Sequence, residues 1–348
     1  MRIEQLTFTR FVAALAIVVF HFGSTANPFA FKYVNSFVSQ LNSGVSYFFM
    51  LSGFIMIISY WDKGVINWID YIKNRMARVY PIYFIGIFAA LFHSIIKLDV
   101  NLFDIFFNVI MMQSWIPGRA LTGNPPGWSI CVEFLFYCIF PFLFNLVYKP
   151  LIEKHLIKII LVVVLVFIFS QFIFLYFYNS SFYKGFPSQS HDMLFFFPLM
   201  HLSEFLIGNL AGLFFIKYGK DLIRNYDIPL VILVLILVTV LSFPLSGLSY
   251  FNGLLAFIII PIILLLSMNN GKITQLFSRK SFVFLGEISY SLYILQFPFY
   301  VYLRHIVIYN VTVSFFVKLF VLIIISSLTY LYIEKPLRRT IKNLKFQK

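Results

Sequence analysis

Arg10 and His21, near the start of the chain, have the residue types and the spacing for anion binding and proton transfer inside a membrane. Eleven helical residues turn through about three full turns, so the two side chains share one helix face, about 16 Å apart along the axis. A guanidinium binds phosphates, and a neutral imidazole removes protons near neutral pH. The alternative left open is that Arg10 only anchors the topology and His21 only lies at the membrane interface.

A second pair of cations, Arg75 and Arg78, stands one helical turn apart where the third predicted apolar segment opens, just before Tyr80. Two guanidinium groups at this spacing can bind phosphate oxygens in the bidentate geometry that arginine favours. The pair therefore predicts a phosphate-binding site at the inner membrane surface. Its alternative is the ordinary enrichment of cations that flanks the cytoplasmic ends of membrane spans.

A carboxylate, Glu133, lies within a strongly apolar segment that begins after Pro126. By helix rise it is about 10 Å below the outer surface, with Ser129 one turn above it and Tyr137 one turn below. A charged group at that depth is costly without a partner, and His21 is predicted at a comparable depth. We therefore expect Glu133 to pair with His21, although a role in tying helices together remains the alternative.

These residues must be positioned by a membrane domain, because 61% of the 348 residues are hydrophobic and only 11% are charged. A soluble core of ordinary proportions could not bury so much apolar surface. Apolar stretches near the roughly 20 residues that cross a bilayer recur along the chain. We predict an all-α, polytopic transmembrane helix bundle that forms one domain over residues 1–348. The predicted spans, about ten in number, are 8–24, 38–60, 80–97, 127–148, 157–178, 195–216, 228–243, 249–268, 283–303 and 311–333.

The distribution of Lys and Arg predicts that both termini are cytoplasmic, because cations in short loops are retained on that side. Most of the 27 Lys and Arg residues then face the cytoplasm, from Arg2 at one end to the basic tail 334–348, with Lys345 and Lys348, at the other. This partition explains the net charge of +14, so no nucleic-acid partner is expected. The alternative is that the first span is a cleaved signal peptide, since residues 24–26 imitate a cleavage site.

Three further features limit what the chain can be. Residues 102–115 are apolar but too few to span comfortably, which favours an interfacial or re-entrant helix over another crossing. Cys131 and Cys138 are seven residues apart, about 10 Å by helix rise, which is too far for a disulfide. No metal-ligand spacing and no Gly-rich phosphate loop occurs in the sequence, so no metal is expected.

Seven short motifs, taken in order, resemble the acyltransferase-3 family of integral membrane acyltransferases, whose members modify cell-surface glycans and related acceptors. The resemblance runs from Arg10 to Glu334, nearly the whole chain. The motifs are Arg10 with His21, Phe48-Phe49-Met50-Leu51-Ser52-Gly53-Phe54, Arg75-x-x-Arg78 with Tyr80-Pro81, Trp128-Ser129 with Glu133, Phe134, Tyr137 and Pro141, Glu204-Phe205-Leu206-Ile207-Gly208, Leu285-Gly286-Glu287-Ile288-Ser289-Tyr290, and Glu334-Lys335-Pro336.

The resemblance implies a donor, an acceptor and a set of roles. Cytoplasmic acyl-CoA, with acetyl as the acyl group, would dock its phosphates near Arg75 and Arg78, with Arg10 at the mouth of a channel that runs along the first helix. His21 would act as general base toward a sugar hydroxyl, with Glu133 orienting it, and a covalent acyl-His21 intermediate is equally compatible. The residues implied to position the acceptor or the developing oxyanion are Trp128, Ser129 and Tyr137.

The sequence departs from the family pattern at two positions. Gln296 stands where Leu-x-His usually follows the Ser-Tyr motif, and the expected Arg shortly before Glu204 is missing. The hydrolase-like periplasmic domain of some relatives is not found in the sequence, so direct transfer to the final acceptor is expected.

The resemblance implies a multi-pass protein of the bacterial cytoplasmic membrane. Its acceptor would be a glycan or glycolipid, as O-antigen, capsule, another exopolysaccharide or a lipid-linked precursor, and the oligomeric state is left open. The competing interpretation is a transporter or flippase without covalent chemistry, in which the same polar residues form a substrate or proton pathway. A structural subunit is a third interpretation, but it leaves the shared face of Arg10 and His21 unexplained.

Overall fold

The computed structural model describes residues 3–306 and 308–343, and this part of the chain is helical without a β-strand. The predicted cations Arg2, Lys345 and Lys348 lie outside the described residues. The α-helices are α1 (Gln5–Phe22), α2 (Lys32–Val38), α3 (Gly44–Tyr60), α4 (Trp68–Ile96), α5 (Leu102–Val109), α6 (Gly127–Phe142), α7 (Lys149–Tyr178), α8 (Gln189–Phe195), α9 (Leu202–Phe214), α10 (Asp227–Ser242), α11 (Ala256–Met268), α12 (Lys272–Phe277), α13 (Lys280–Tyr302), α14 (Val311–Thr329) and α15 (Lys335–Asn343).

Seven helical segments in the described ranges are long and apolar enough to cross a membrane. One of them, Gly127–Tyr178, joins α6 and α7 through a π-helical stretch and has 52 residues. That is about 78 Å by helix rise, more than twice the hydrocarbon thickness. Its backbone leaves helical geometry at His155, which separates the predicted spans 127–148 and 157–178. The helices α10 and α11 are shorter apolar helices, so the total of ten crossings and the side of the termini stay predictions.

Helix α4 begins much earlier than the predicted span 80–97. Its first residue is Trp68, and the side chain of Asn67 accepts a hydrogen bond from the backbone N–H of Asp70, at 3.1 Å. Asparagine at this position satisfies one of the free N–H groups at a helix start. Arg75 and Arg78 therefore lie inside a long helix and not at its opening.

The outer segment 102–115 does not form a crossing. It folds into α5, which has 8 residues, and a single 3₁₀ turn at Gln113–Trp115. The Arg119 guanidinium binds both carboxylate oxygens of Asp104 on α5, at 3.1 and 2.9 Å. Both hydrogen bonds are donated by the same nitrogen, Nη1, and their charge assistance strengthens the contact between α5 and the segment that follows it. Cys131 and Cys138 on α6 are both free, as predicted.

Helices α3 and α9 approach so closely that only glycine fits between them. A Cβ atom at Gly208 would lie 2.1 Å from the carbonyl oxygen of Met50, and one at Gly53 would lie 2.3 Å from that of Phe205. Small residues allow such close backbone contact between membrane helices. The contact fixes the position of α3, which carries Ser52, against α9.

The substitution Gly208→Ala is therefore expected to destabilise the protein. Its methyl group overlaps a backbone carbonyl that cannot rotate away, and overpacking of this kind costs about 1–3 kcal/mol of unfolding free energy. Thermal unfolding of the purified protein in detergent micelles measures the loss as a lower Tm. The variant Ser327→Ala, on α14 and away from this contact, is the control. An unchanged Tm in Gly208→Ala would show that the two helices lie farther apart.

Candidate functional site

A cavity of about 350 Å³ lies inside the bundle and is lined by side chains of α1, α3, α4, α6, α13 and α15. Along α3 the lining extends from Val45 to Ser59, which is about 21 Å by helix rise. The lining also includes Glu334 and Arg338, near the last helix, and Ser129, near the start of α6. The cavity therefore follows most of the length of α3.

Guanidinium groups line this cavity without carboxylate partners. Arg10, Arg75 and Arg78 all face it, as predicted, and Arg338 on α15 joins them. Within the described ranges, none of the four has a carboxylate oxygen within ion-pair distance. A cation removed from water without a bound anion is costly. Four guanidinium groups and three carboxylates line the cavity, so its net charge favours an anionic ligand.

The Arg75 guanidinium is held by aromatic rings. Its carbon atom lies 5.2 Å from the ring centre of Tyr60, 5.1 Å from that of Tyr71 and 5.7 Å from that of Tyr137. The faces of aromatic rings attract a cation and fix its position. The buried Nε of Arg75 has no hydrogen-bond partner among the residues that the structure describes. This arrangement keeps N–H donors of Arg75 available to a ligand.

The carboxylates of the cavity are bound by hydroxyl groups. Glu133 accepts a hydrogen bond from Ser52 at 3.3 Å, and Glu334 accepts one from Ser291 at 3.1 Å. Glu287 accepts one from the Tyr330 hydroxyl at 2.5 Å. Because hydroxyl groups satisfy these oxygens, the carboxylates stay in the cavity without direct ion pairs to the four arginines.

The predicted pairing of His21 with Glu133 is wrong in this structure. His21 does not line the cavity; it is exposed at the surface of the bundle, and its Nδ1 lies 3.0 Å from Oε1 of Gln296. The rings of Phe20 and Phe297 pack against the imidazole, at centroid distances of 5.1 and 4.8 Å. Glu133 lines the cavity and accepts a hydrogen bond from Ser52, whereas His21 contacts Gln296 outside the cavity lining.

The predicted channel along α1 from Arg10 to His21 is also wrong. Within the described part of the chain, the cavity contacts α1 only at residues 6, 7 and 10, and it also contacts Ile3 just before this helix. Beyond Arg10, α1 packs directly on the start of α3, where a Cβ at Gly44 would lie 3.3 Å from both the carbonyl oxygen of Ala13 and a side-chain carbon of Ile17. Small residues bring the two helices into direct contact at this point. The cavity continues along α3 and α6 instead.

Of the residues predicted to position the acceptor, Ser129 and Tyr137 line the cavity and Trp128 does not. The Trp128 ring is buried, and it packs on the rings of Phe49 and His201, at centroid distances of 6.0 and 5.3 Å. Direct contact of Trp128 with a ligand in the cavity is therefore not supported. Its indole is part of the wall behind the lining residues.

Tyr293 lines the cavity and forms hydrogen bonds with both Ser129 and Gln296. Its hydroxyl lies 2.8 Å from the Ser129 hydroxyl at the end of the cavity, and Gln296, the partner of His21, is one helical turn further along α13. Sequence reasoning missed Tyr293 and Arg338. The position of Arg338 in the basic tail could have indicated a phosphate ligand, whereas no sequence signal separates Tyr293 from the other tyrosines of the spans.

His201 and Glu204 form a second polar pair outside the cavity. Their side chains are buried, and His201 Nδ1 lies 2.9 Å from Glu204 Oε2, while Nε2 lies 2.9 Å from the carbonyl oxygen of Phe195. Both imidazole nitrogens are thus bound within the fold. The pair supports the helix packing beside Trp128, whose ring lies 5.3 Å from that of His201.

Comparison with known proteins identifies relatives. The profile of a family described as an acyltransferase domain matches residues 3–332. The acyltransferase MdmB of Streptomyces mycarofaciens is 29% identical over 160 residues, which are 42% of this chain and 41% of that protein. The exopolysaccharide production protein ExoZ of Rhizobium meliloti is 29% identical over 105 residues, 28% of this chain and 32% of that protein. The aligned segments thus span less than half the length of each relative. No solved structure matches the chain at a comparable level of significance.

Proposed function

The chain belongs to the acyltransferase-3 family, and on this basis we propose that it is a membrane enzyme that transfers an acetyl group from cytoplasmic acetyl-CoA to a hydroxyl group of a cell-surface or lipid-linked glycan. One observation carries the proposal: four guanidinium groups without carboxylate partners, among the described residues, face a single elongated cavity. Coenzyme A carries several phosphate charges on a long flexible arm. The charge and the shape of the cavity match both features.

The donor binds with its phosphates at the end of the cavity that contains Arg78 and Arg338, which the predicted topology puts on the cytoplasmic side. Its pantetheine arm, about 20 Å when extended, is comparable to the length of the cavity along α3. Arg10 and Arg75 then contact the phosphates or the polar groups of the arm. Glu133 acts on this donor side, where it holds Ser52 by a hydrogen bond.

The acceptor approaches His21 from the outer face of the bundle, where the imidazole is exposed. His21 removes the proton of the acceptor hydroxyl as its oxygen attacks the thioester carbonyl carbon. The new C–O bond forms, the C–S bond breaks, and the proton passes from His21 to the departing thiolate of coenzyme A. The Tyr293 side chain must leave Ser129 to let the thioester reach His21. The freed hydroxyl groups can then stabilise the oxyanion.

Two observations support a glycan as the acceptor: the printed names of the relatives and the exposure of the His21 imidazole. ExoZ is named as an exopolysaccharide production protein, and MdmB as an acyltransferase. The proposed site for the acceptor lies at the outer end of α1, beside the lipid, so it can serve an exopolysaccharide, an O-antigen, a capsule or a lipid-linked precursor. We propose the bacterial cytoplasmic membrane as the location, because acetyl-CoA and a nascent glycan meet across it.

The proposal is tested in two steps. The purified protein in lipid nanodiscs should bind acetyl-CoA, as measured by isothermal titration calorimetry. Surface glycans from cells with and without the gene should differ by the mass of acetyl groups in mass spectrometry. Export of a glycan or small molecule without a change in its mass would instead support a transporter, and it would contradict the proposal.

A further inference from the structure

The side-chain amide of Gln296 makes two hydrogen bonds, one of them with the imidazole of His21. Its side chain is fully buried on α13. The amide nitrogen Nε2 donates a hydrogen bond to the carbonyl oxygen of Tyr293 at 2.8 Å, and the amide oxygen Oε1 lies 3.0 Å from Nδ1 of His21. The contact joins the first span to the ninth, across 275 residues of sequence.

These two contacts determine which imidazole nitrogen carries the proton. A backbone carbonyl only accepts, so the amide group facing Tyr293 must be the N–H donor. The oxygen of the amide then faces His21, and because an amide oxygen also only accepts, Nδ1 of His21 must be protonated. A neutral imidazole with its proton on Nδ1 has its lone pair on Nε2.

We propose that Gln296 is a positioning residue that fixes this tautomer of His21 and so makes Nε2 the base that receives the acceptor proton. The inference rests on the proposed role of His21. The neighbouring rings of Phe20 and Phe297 restrict the imidazole, but they offer no acceptor and cannot select a tautomer. Gln296 does so without charge, whereas catalytic histidines in hydrolase triads are oriented by a carboxylate.

The test compares Gln296→Met with Gln296→Glu in the full-length protein in nanodiscs. Methionine keeps the length of the side chain but removes the acceptor, and glutamate keeps an oxygen at that position. We expect Gln296→Met to lower kcat by at least about tenfold, since a positioned base contributes roughly 10²- to 10⁴-fold, while KM for acetyl-CoA stays unchanged. Gln296→Glu should retain a larger part of the activity than Gln296→Met.

A matched control separates positioning from stability. Gln171 on α7 is also buried, and its amide donates to the carbonyl oxygen of Asn252 at 2.7 Å, away from His21. The variant Gln171→Met loses a comparable buried hydrogen bond, so a similar fall of kcat in both methionine variants would overturn the proposal.

The tautomer is also read directly, without substrate, from ¹⁵N NMR of protein labelled at its six histidines. The His21 signals are identified by their absence in His21→Ala. We expect a protonated Nδ1 and an unprotonated Nε2 in the unsubstituted protein, and loss of this preference in Gln296→Met. A proton on Nε2 would overturn the tautomer assignment, whereas full transfer by His21→Ala would overturn the function of His21 itself, so the two failures are distinguishable.

Discussion

Replacing His21 with alanine is expected to abolish acyl transfer while donor binding is retained. The exposed imidazole near the end of α1 is the proposed proton acceptor, and the cavity that would hold the donor is lined by other residues. Loss of a general base lowers kcat by roughly 10²- to 10⁴-fold. Transfer of radiolabelled acetyl groups to glycan in nanodiscs measures the rate, and isothermal titration calorimetry measures the Kd for acetyl-CoA.

The control for this prediction is His93→Ala. His93 is on α4, also toward the outer end of a predicted span, and its ring packs on Tyr302 at a centroid distance of 5.7 Å. It does not line the cavity, so its loss should leave both transfer and donor binding close to those of the unsubstituted protein. An unchanged rate of acyl transfer in His21→Ala would show that His21 is not the general base.

Replacing Arg78 with alanine is expected to weaken acetyl-CoA binding, and a double variant that also lacks Arg10 should weaken it further. Both guanidinium groups face the cavity, and neither has a carboxylate partner in the described residues. A hydrogen bond from a charged donor contributes about 1.5–3 kcal/mol, which corresponds to an increase in Kd of roughly ten- to a hundredfold. Because phosphate binding is electrostatic, the difference from the unsubstituted protein should shrink at high salt.

Arg304→Ala provides the matched control for charge. Arg304 follows α13 at its far end, where its Nε donates to His305 at 2.8 Å, and it is not part of the cavity lining. Its removal lowers the net charge by the same amount without touching the proposed donor site. Equal Kd values for Arg78→Ala and Arg304→Ala would contradict phosphate binding in the cavity.

The family and the helical character of the chain could be predicted from sequence. The match over residues 3–332 confirms the predicted family. The apolar segments are helical in the structure because backbone groups in lipid must be satisfied within one segment. Arg75 and Arg78 were predicted to act together because residues three apart share a helix face, and both do line one cavity.

The start of α4 shows a limit of this kind of prediction. Hydropathy identifies the part of a helix that lies in lipid, and it does not detect the polar turns that precede Tyr80. The structure starts the helix at Trp68, after the capping Asn67. The helix is therefore about three turns longer at this end than predicted, and Tyr71 in the added part lies one turn before Arg75, where its ring supports the guanidinium.

Relative depth in the membrane could be predicted from the sequence alone, because each helical residue adds a constant rise and each apolar segment is expected to lie in hydrocarbon. That was enough to put His21 and Glu133 at similar heights and to put Arg10 far below His21. The direction in which each side chain points was decided by tertiary packing. Gly44 and Ala13 close the space along α1, so the cavity turns toward α6 and Glu133, while His21 meets Gln296. The contact between His21 and Gln296 joins residues that are 275 positions apart in the sequence. It depends on how the helices pack against one another, which the helical rise per residue cannot predict.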